Sequence, residues 1–418
     1  MDEGSCFIDG FGPMPVRQPG SVAELAKQVR AAAAENKAIY PVGGQTMLGI
    51  GGSPAKPGLA MDVRALDQVI DYPAPDMTIT VQVGITIARL QSILAPQNQR
   101  LPIDVPCAER ATLGGILSTN ASGPRRFGYG TLRDYVLGIS AVNDEGHQIK
   151  AGGRVVKNVA GYDLCKLYIG ALGTLGIMTQ VTLKLRPLTE ENALIVLGFD
   201  KEQLTPVLDL LHQTRTRPVC LELLNPPAAK KILSDARLPA LDAPWTLLVG
   251  FESNAQDLEW QVQQLVREVK SKCILDARLG RTAATLWQAL TDFPLSLAGA
   301  GSHLTFKANI LSSGTAAFCS DVDGLPEPPM LQAHAGNGII VGHCHGLTKE
   351  RAAELLHTLR ALAIPFQGSV VVLDCPPAWK SSLDVWGPPR ADAALMREIK
   401  NKLDPRNLFN PGRFVGGI

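Results

Sequence analysis

The tract from Asp104 to Pro187 constrains this chain most; it opens DVPCAERATLGGILSTNASGPRRFGYGTLRDYVLGISAV and closes VVKNVAGYDLCKLYIGALGTLGIMTQVTLKLRP. Among its glycines are those at 114, 115, 123, 128, 130, 161, 170, 173 and 176, between short β-branched runs and hydroxyl or amide side chains. Bare backbone at such positions lets a ligand approach closely. An earlier PVGGQT, Pro41 to Thr46, directly follows the buried-strand pattern AIYPV. A glycine-rich turn after such a strand offers consecutive N–H groups to phosphate oxygens. Taken alone it also reads as an ordinary tight turn, since it lacks the Lys-Ser/Thr ending of a triphosphate loop and the G-x-G-x-x-G of a dinucleotide fold. In ATLGGILSTNASG, adjacent glycines precede Ser118, Thr119 and Asn120, a pairing of bare backbone with polar groups that suits a pyrophosphate and the polar edge of a flavin ring.

A chain of 418 residues, 45% hydrophobic and 19% charged, can bury the cores of two domains. Lys plus Arg (40) balances Asp plus Glu (39), which excludes a broad field for nucleic acid or an anionic membrane, so a small acidic substrate has to be held by local groups. The eight cysteines, at 6, 107, 165, 220, 273, 319, 344 and 375, form no C-x-x-C pair or metal-spaced cluster and read as reduced, mostly buried thiols. They include no cluster of the kind that holds an iron–sulfur centre. No apolar run approaches the ~20 residues of a membrane span, and MDEGSCFIDG has no signal-peptide features. The expected location is the cytoplasm, with a peripheral place on the inner membrane through a complex as the alternative.

After a short N-terminal arm, Ser21 and Glu24 have capping-box spacing before a helix over AELAKQVRAAAAEN. TITVQVG reads as a strand and TIARLQSILAP as a second helix, while LGISAV and IMTQVTLKLRP are further strands, with NDEGHQ as a hairpin-like turn. From about residue 190, strands and helices alternate regularly, which predicts an α+β domain with helices on one side of an antiparallel sheet. The tail ADAALMREIKNKL is a helix stopped by Asp404-Pro405.

PVGGQT, ATLGGILSTNASG, YGTLRDYVLG, the 155–187 segment and the terminal LDPRNLFNPGRF together resemble the PCMH-type FAD-binding domain of the vanillyl-alcohol oxidase / p-cresol methylhydroxylase superfamily. Within it they are similar to the smaller, E-type FAD-binding subunits of three-subunit bacterial glycolate oxidases (glycolate dehydrogenases). The resemblance implies a two-part α+β FAD-binding domain over residues 1–189, an α+β cap over 190–385, and a C-terminal helix and tail, 386–418, packing back on the FAD site. It also assigns Pro41, Val42, Gly43, Gly44, Gln45 and Thr46 to the FAD pyrophosphate. Pro106, Thr112, Gly114, Gly115, Ser118, Thr119 and Asn120 go to the flavin and ribityl chain; Gly161, Asp163, Gly176, Ile177 and Asn410 complete the cofactor set. Many covalently flavinylated relatives carry a histidine in the first loop where this chain has Gln45, so the FAD is expected to be non-covalent, with Cys107 as a structural thiol.

By the same resemblance, the chain is one component of a heteromeric complex oxidising glycolate to glyoxylate, auxiliary to a larger FAD-containing subunit and partnered by an iron–sulfur subunit. The alternative is a stand-alone FAD-dependent dehydrogenase for a 2-hydroxy acid such as D-lactate. Related hydroxy-acid dehydrogenases carry H-x-G-D-G-N-x-H and a later Glu-His pair that bind a metal; here HAGNGIIV, His334 to Val341, departs from the pattern, QGSVVVLDCP replaces the pair, and no metal is expected. If Asn337-Gly338 is a two-residue hairpin turn, His334 pairs with Val341 and shares a face with His343 and His345, whereas a one-residue slip separates them. Lys307 and His334 are the candidate catalytic residues, Lys307 being equally readable as a solvated strand lysine. Arg125 and Arg126 suit a surface or subunit contact, and Trp245, Trp260 and Trp287 suit a core or interface.

Overall fold

A computed structural model describes residues 4–154, 162–239, 243–269, 274–297, 301–389 and 391–418. The chain divides into two compact units: residues 1–121, 131–188 and 380–418 form the first, and residues 122–130 and 189–379 the second.

In the first unit, β1 (Ser5–Ile8) and β2 (Phe11–Arg17) form an antiparallel hairpin. The hairpin joins β3 (Ala38–Val42) and β4 (Gly58–Asp62) in the order β1-β2-β4-β3, with β2 and β3 both parallel to β4. The expected N-terminal arm is therefore part of a sheet. Pro13 and Pro15 argue against a strand because proline cannot donate to a ladder. Toward β4 they are accommodated because β2 pairs there only through Val16 and Arg17, beyond both prolines; toward β1, Pro15 lies opposite Ser5. Cys6, Ile8, Met14, Ala38, Tyr40, Val42 and Ala60 close the core of this sheet. Helix Val22–Ala34 is started by Ser21, whose hydroxyl accepts from Glu24 N at 3.1 Å, while the Glu24 carboxylate accepts from Gly20 N at 2.8 Å.

A second sheet holds β5 (Val69–Asp71), β6 (Thr78–Gln82), β8 (Val136–Val142), β9 (Gln148–Gly152) and β10 (Ile177–Lys184) in the order β5-β6-β10-β8-β9. A two-stranded pair of β7 (Gln99–Arg100) and β11 (Arg186–Pro187) lies apart from it. Helices Ile87–Leu94 and Leu113–Thr119 start at Thr86 and Thr112, whose side chains accept from the third helical N–H.

The second unit is built on an eight-stranded antiparallel sheet. Its strands are β12 (Glu191–Phe199), β13 (Cys220–Leu224), β14 (Trp245–Ser253), β15 (Ile274–Leu279), β16 (His303–Asn309), β17 (Met330–His334), β18 (Ile339–His345) and β19 (Ser369–Asp374). Their order is β15-β12-β14-β13-β17-β18-β16-β19. Helices cover both faces rather than the one expected. Pro226–Asp235 and Gly280–Asp292 pack with Leu194, Val196, Cys220, Leu224 and Leu248. The opposite face, including Ile195, Leu221, Leu223, Leu247 and Val249, is equally buried, with Ala255–Val269 packed against β12 and β14. The continuous apolar runs of ALIVLGF and WTLLVGF follow from this, since a strand buried on both sides has no polar alternation.

Candidate functional site

The first unit carries a cleft enclosing ≈ 890 Å³ of non-protein space, its open mouth included. Its walls come from three segments: Pro41–Thr46 with Met47, Leu48 and Ile50; the Thr112–Thr119 helix through Thr112, Gly114, Gly115, Ile116, Ser118 and Thr119; and Leu172, Gly173, Gly176, Ile177 and Met178. Asn410 and Arg413 complete it from the tail. The expected residues Pro41, Val42, Gly43, Gly44, Gln45, Thr46, Thr112, Gly114, Gly115, Ser118, Thr119, Gly176, Ile177 and Asn410 thus come together around one cleft. Pro106 and Asn120 are not among its lining; Asn120 caps the helix at φ 48 with its side-chain oxygen buried and without a donor. Asp163 is exposed and pairs with Lys166 at 3.4 Å, and Gly161, with the rest of 155–161, lies outside the described residues.

The glycines of this cleft serve two purposes. A Cβ at Gly44 would meet the Arg110 carbonyl oxygen at 1.8 Å, and one at Gly43 would meet Thr112 Oγ1 at 2.2 Å. Both are bare because the loop lies flat on the Arg110–Thr112 segment. Gly115, by contrast, faces open space, with only Thr112 Oγ1 at 3.3 Å nearby.

The chemistry of the lining fits an anionic dinucleotide. Gln45 has a left-handed backbone (φ 55), and the N–H groups of Gly44, Gln45 and Thr46 find no acceptor among the described residues. Unpaired N–H groups on a loop after a buried strand are what a phosphate oxygen accepts from. The start of the Thr112–Thr119 helix is engaged otherwise: Leu113 N and Gly114 N donate to Ile85 O (2.9 Å) and Val83 O (2.8 Å), and Gly115 N to Thr112 Oγ1. Thr119 Oγ1 bonds back to Gly115 O at 3.0 Å, so the hydroxyls of Ser118 and Thr46 are the ones on the cleft that make no hydrogen bond among the described residues.

The tail is bound to this cleft by buried charge. Phe409 forms a parallel bridge to Ile39, and Asn410 N donates to Ile39 O at 2.8 Å while its amide reaches Leu172 O. Lys400, buried, donates to Thr174 O (2.8 Å), Phe409 O (3.0 Å) and Asp404 Oδ2 (2.6 Å); burial pulls its ammonium below the ordinary range, against the pull of Asp404. Arg413 and Lys380 share Asp9, at 3.3 and 2.8 Å, and burial likewise lowers the Arg413 guanidinium, against the pull of Asp9. No local sequence signal links Asp9 to Lys380 and Arg413, because their pairing spans more than 360 residues.

In the second unit, register places the cap candidates on one face, since residues directly opposite in an antiparallel ladder share a side. Lys307 lies opposite Val341, which lies opposite Gln332; Asn309, Ile339, His334 and Glu222 form the adjacent row. Lys307 makes no hydrogen bond or ion pair among the described residues, and burial, then the charge of Arg126, lowers its ammonium. His334 Nδ1 lies 2.6 Å from Glu222 Oε1, and Gln332 Nε2 donates to Glu222 Oε2 at 2.8 Å. The carboxylate puts the proton of the neutral ring on Nδ1 and leaves Nε2 as the acceptor.

The two-residue hairpin expected at Asn337-Gly338 is a longer turn: both N–H groups donate to His334 O, at 2.9 and 3.1 Å, and His334 pairs with Ile339 rather than Val341. His343 keeps the same face but sits opposite Met330, four residues or about 13 Å along β17 from His334. Its Nε2 donates to Phe293 O at 2.7 Å and its Nδ1 accepts from Thr305 Oγ1 at 2.8 Å; burial drives its pKa down to about 4. No cluster of three metal-ligating side chains occurs among the described residues.

Arg125 is an internal residue rather than a surface contact. It lies 4.0 Å over the Trp287 ring and bonds Glu252 through Nε (2.8 Å), and Tyr129 donates to the same carboxylate. Trp245 and Trp287 are core residues, whereas Trp260 is exposed. Among the described cysteines, Cys107 is exposed, is not part of the cleft lining, and the others are buried free thiols. Among the described residues no helix is long and apolar enough to cross a membrane.

The first unit thus carries a donor-lined cleft of the kind that receives an anionic cofactor. Residues 13–152 match the model of the FAD binding domain, and residues 188–370 and 389–414, half of the chain, match that of the FAD linked oxidases, C-terminal domain. The chain belongs to the FAD-linked oxidases, and FAD is its cofactor. It is similar to D-2-hydroxyglutarate dehydrogenase of Xanthomonas citri pv. viticola, at 27% identity over 96% of this chain and 89% of that protein. A shorter similarity, 37% identity over 131 residues, 31% of this chain and 37% of the other, links it to glycolate oxidase subunit GlcE of Escherichia coli. Among solved structures, p-cresol methylhydroxylase with substrate bound shares the fold, with a TM-score of 0.72 at 16% identity over 95% of this chain and 88% of that one.

Proposed function

We propose that this protein is an FAD-dependent dehydrogenase of small 2-hydroxy acids, with the first unit as the FAD domain and the second as the substrate cap. The observation that carries the reading is Lys307: a half-buried lysine without a carboxylate partner among the described residues, within electrostatic reach of Arg126 and on the same sheet face as His334. Paired cations in a low-dielectric setting favour a substrate carboxylate. Similarity to a D-2-hydroxyglutarate dehydrogenase over nearly the whole chain supports the same class.

The Gly43–Thr46 loop would hold the FAD diphosphate, and Ser118 and Asn410 its flavin end. Bound FAD supplies a two-electron acceptor for the hydride leaving the substrate α-carbon. Lys307 and Arg126 hold the carboxylate. His334 Nε2, its ring held by Glu222, takes the hydroxyl proton, so the alcohol becomes a 2-oxo acid with loss of one proton and one hydride. No histidine or cysteine lines the cleft among the described residues, which supports non-covalent FAD; denaturation in acid then releases all flavin to the supernatant.

A second reading, favoured by the similarity to a glycolate oxidase component, makes the chain part of a complex with a larger flavoprotein subunit and an iron–sulfur subunit acting on glycolate. Anaerobic mixing of the isolated holoprotein with glycolate, D-lactate and D-2-hydroxyglutarate tests both. Flavin bleaching by any of them supports autonomous catalysis. Bleaching by glycolate only after a larger flavoprotein partner is added supports the complex reading and sinks the first.

A further inference from the structure

We propose that Lys380 and Arg413 are positioning residues for the cofactor: they grip the peptide carbonyls of Leu48 to Gly52 and so hold the adjoining Gly43–Thr46 loop in the form that receives the FAD diphosphate. This rests on the assignment of the first-unit cleft to FAD. Arg413 donates through Nη2 to Leu48 O and Ile50 O (2.6 Å), and through Nη1 to Gly52 O (2.5 Å). Lys380 Nζ takes the two carbonyls between, Gly49 O and Gly51 O (3.1 Å). Five successive carbonyls thus converge on two cations.

Regular structure does not do this. A strand sends alternate carbonyls to opposite sides, and a helix sends them along its axis to its own N–H groups. Leu48 to Gly52 belongs to neither and has little backbone bonding of its own: Ile50 N donates to Met47 O at 3.3 Å and Gly52 N to Arg413 O at 3.0 Å. The cations, themselves buried, are therefore what fix its path. The wrapped segment begins two residues after Thr46, and Leu48, Ile50 and Arg413 line the same cleft as the loop.

The charges point the same way. Asp9 offsets one of the two cations, and the carbonyl dipoles solvate the remainder, which lets a buried positive charge persist. The excess positive charge complements a diphosphate, and riboflavin, which lacks one, gains nothing from it.

The test is titration of the full-length apoprotein with FAD and, separately, with riboflavin, followed by flavin fluorescence, on the wild type and on Lys380→Met, Arg413→Met, Arg413→Lys and Asp9→Asn. The Met variants are expected to lose at least tenfold in FAD affinity and less in riboflavin affinity. Arg413→Lys, which keeps the charge and part of the donor set, recovers part of the loss; Asp9→Asn, which leaves the carbonyl grip in place and raises the local positive charge, binds FAD at least as tightly as wild type. Met variants within twofold of wild type would overturn the proposal, as would equal losses for FAD and riboflavin. If the Met variants do not fold, the comparison of Arg413→Lys with Asp9→Asn decides it, a tenfold loss of FAD affinity in Asp9→Asn overturning it. A wild-type chain that takes up no FAD would instead overturn the cofactor assignment.

Discussion

Gly44→Ala and Gly115→Ala both change a glycine of the cleft, and the structure predicts that they fail for different reasons. The new Cβ at position 44 would lie 1.8 Å from the Arg110 carbonyl oxygen, with the Arg110 carbonyl carbon at 2.6 Å and Ala111 Cα at 3.2 Å, all backbone. Ordinary contact requires the two segments to separate by roughly 1.6 Å, a displacement a close-packed loop resists at a cost of about 1–3 kcal/mol. For a unit of this size that lowers the midpoint of thermal unfolding of the apoprotein by about 2–12 °C. At position 115 the only neighbour is Thr112 Oγ1 at 3.3 Å, and the residue is helical, so alanine leaves the apoprotein midpoint unchanged or raises it, helix propensity contributing up to about 1 kcal/mol. Its methyl group projects into the cleft and weakens FAD binding. Differential scanning calorimetry of apo and FAD-loaded protein reads both effects: Gly44→Ala melts earlier in the apo form, whereas Gly115→Ala melts normally apo and loses the upward shift on adding FAD. Equal apo midpoints for Gly44→Ala and wild type would refute the packing argument.

Lys307→Met is expected to raise KM for the hydroxy acid by roughly 10- to 150-fold, the equivalent of a hydrogen bond to a charged group, with flavin content unchanged; a KM within twofold of wild type counts against Lys307 as the carboxylate ligand. His334→Asn should lower kcat by roughly 10²-fold or more with flavin content unchanged; a kcat equal to wild type would remove His334 from the chemistry. Because burial holds His343 to about 4 while the unfolded ring titrates near 6.5, the unfolded chain binds more protons between those values. Stability therefore falls as pH drops from about 6.5 towards 4, by up to about 3 kcal/mol from this group. Urea midpoints of wild type and His343→Gln across that range check it, the variant losing the slope; parallel curves would show that His343 is not the group responsible.

The glycine-rich loops were legible as loops because their pattern is local: a buried strand, a turn and bare backbone sit within a few residues of each other, and Pro41–Thr46 and Thr112–Thr119 line one cleft. The helices with a periodic apolar stripe, such as Val22–Ala34, were legible for the same reason. Helices Gly280–Asp292 and Thr315–Asp323 escaped, the first beginning at a left-handed glycine and the second carrying only a weak apolar stripe. The charge hub was invisible because Asp9, Lys380 and Arg413 come from opposite ends of the chain and each is an ordinary residue in its own neighbourhood. The Glu222–His334 pair was hidden likewise, the two residues being 112 apart and joined only by the pairing of β13 with β17. Arg125 and Arg126 look alike in sequence, yet one is bound to Glu252 over Trp287 and the other acts on Lys307, a division set by tertiary packing alone.

The most direct test of the central claim is a single-turnover experiment on the isolated FAD-loaded chain: anaerobic addition of excess D-2-hydroxy acid, with flavin reduction and 2-oxo acid measured together. One 2-oxo acid is expected per flavin reduced, and in Lys307→Met both are expected to form more slowly at a substrate concentration below the wild-type KM. A fully loaded flavin that stays oxidised with every 2-hydroxy acid, and yields no 2-oxo acid, would contradict it.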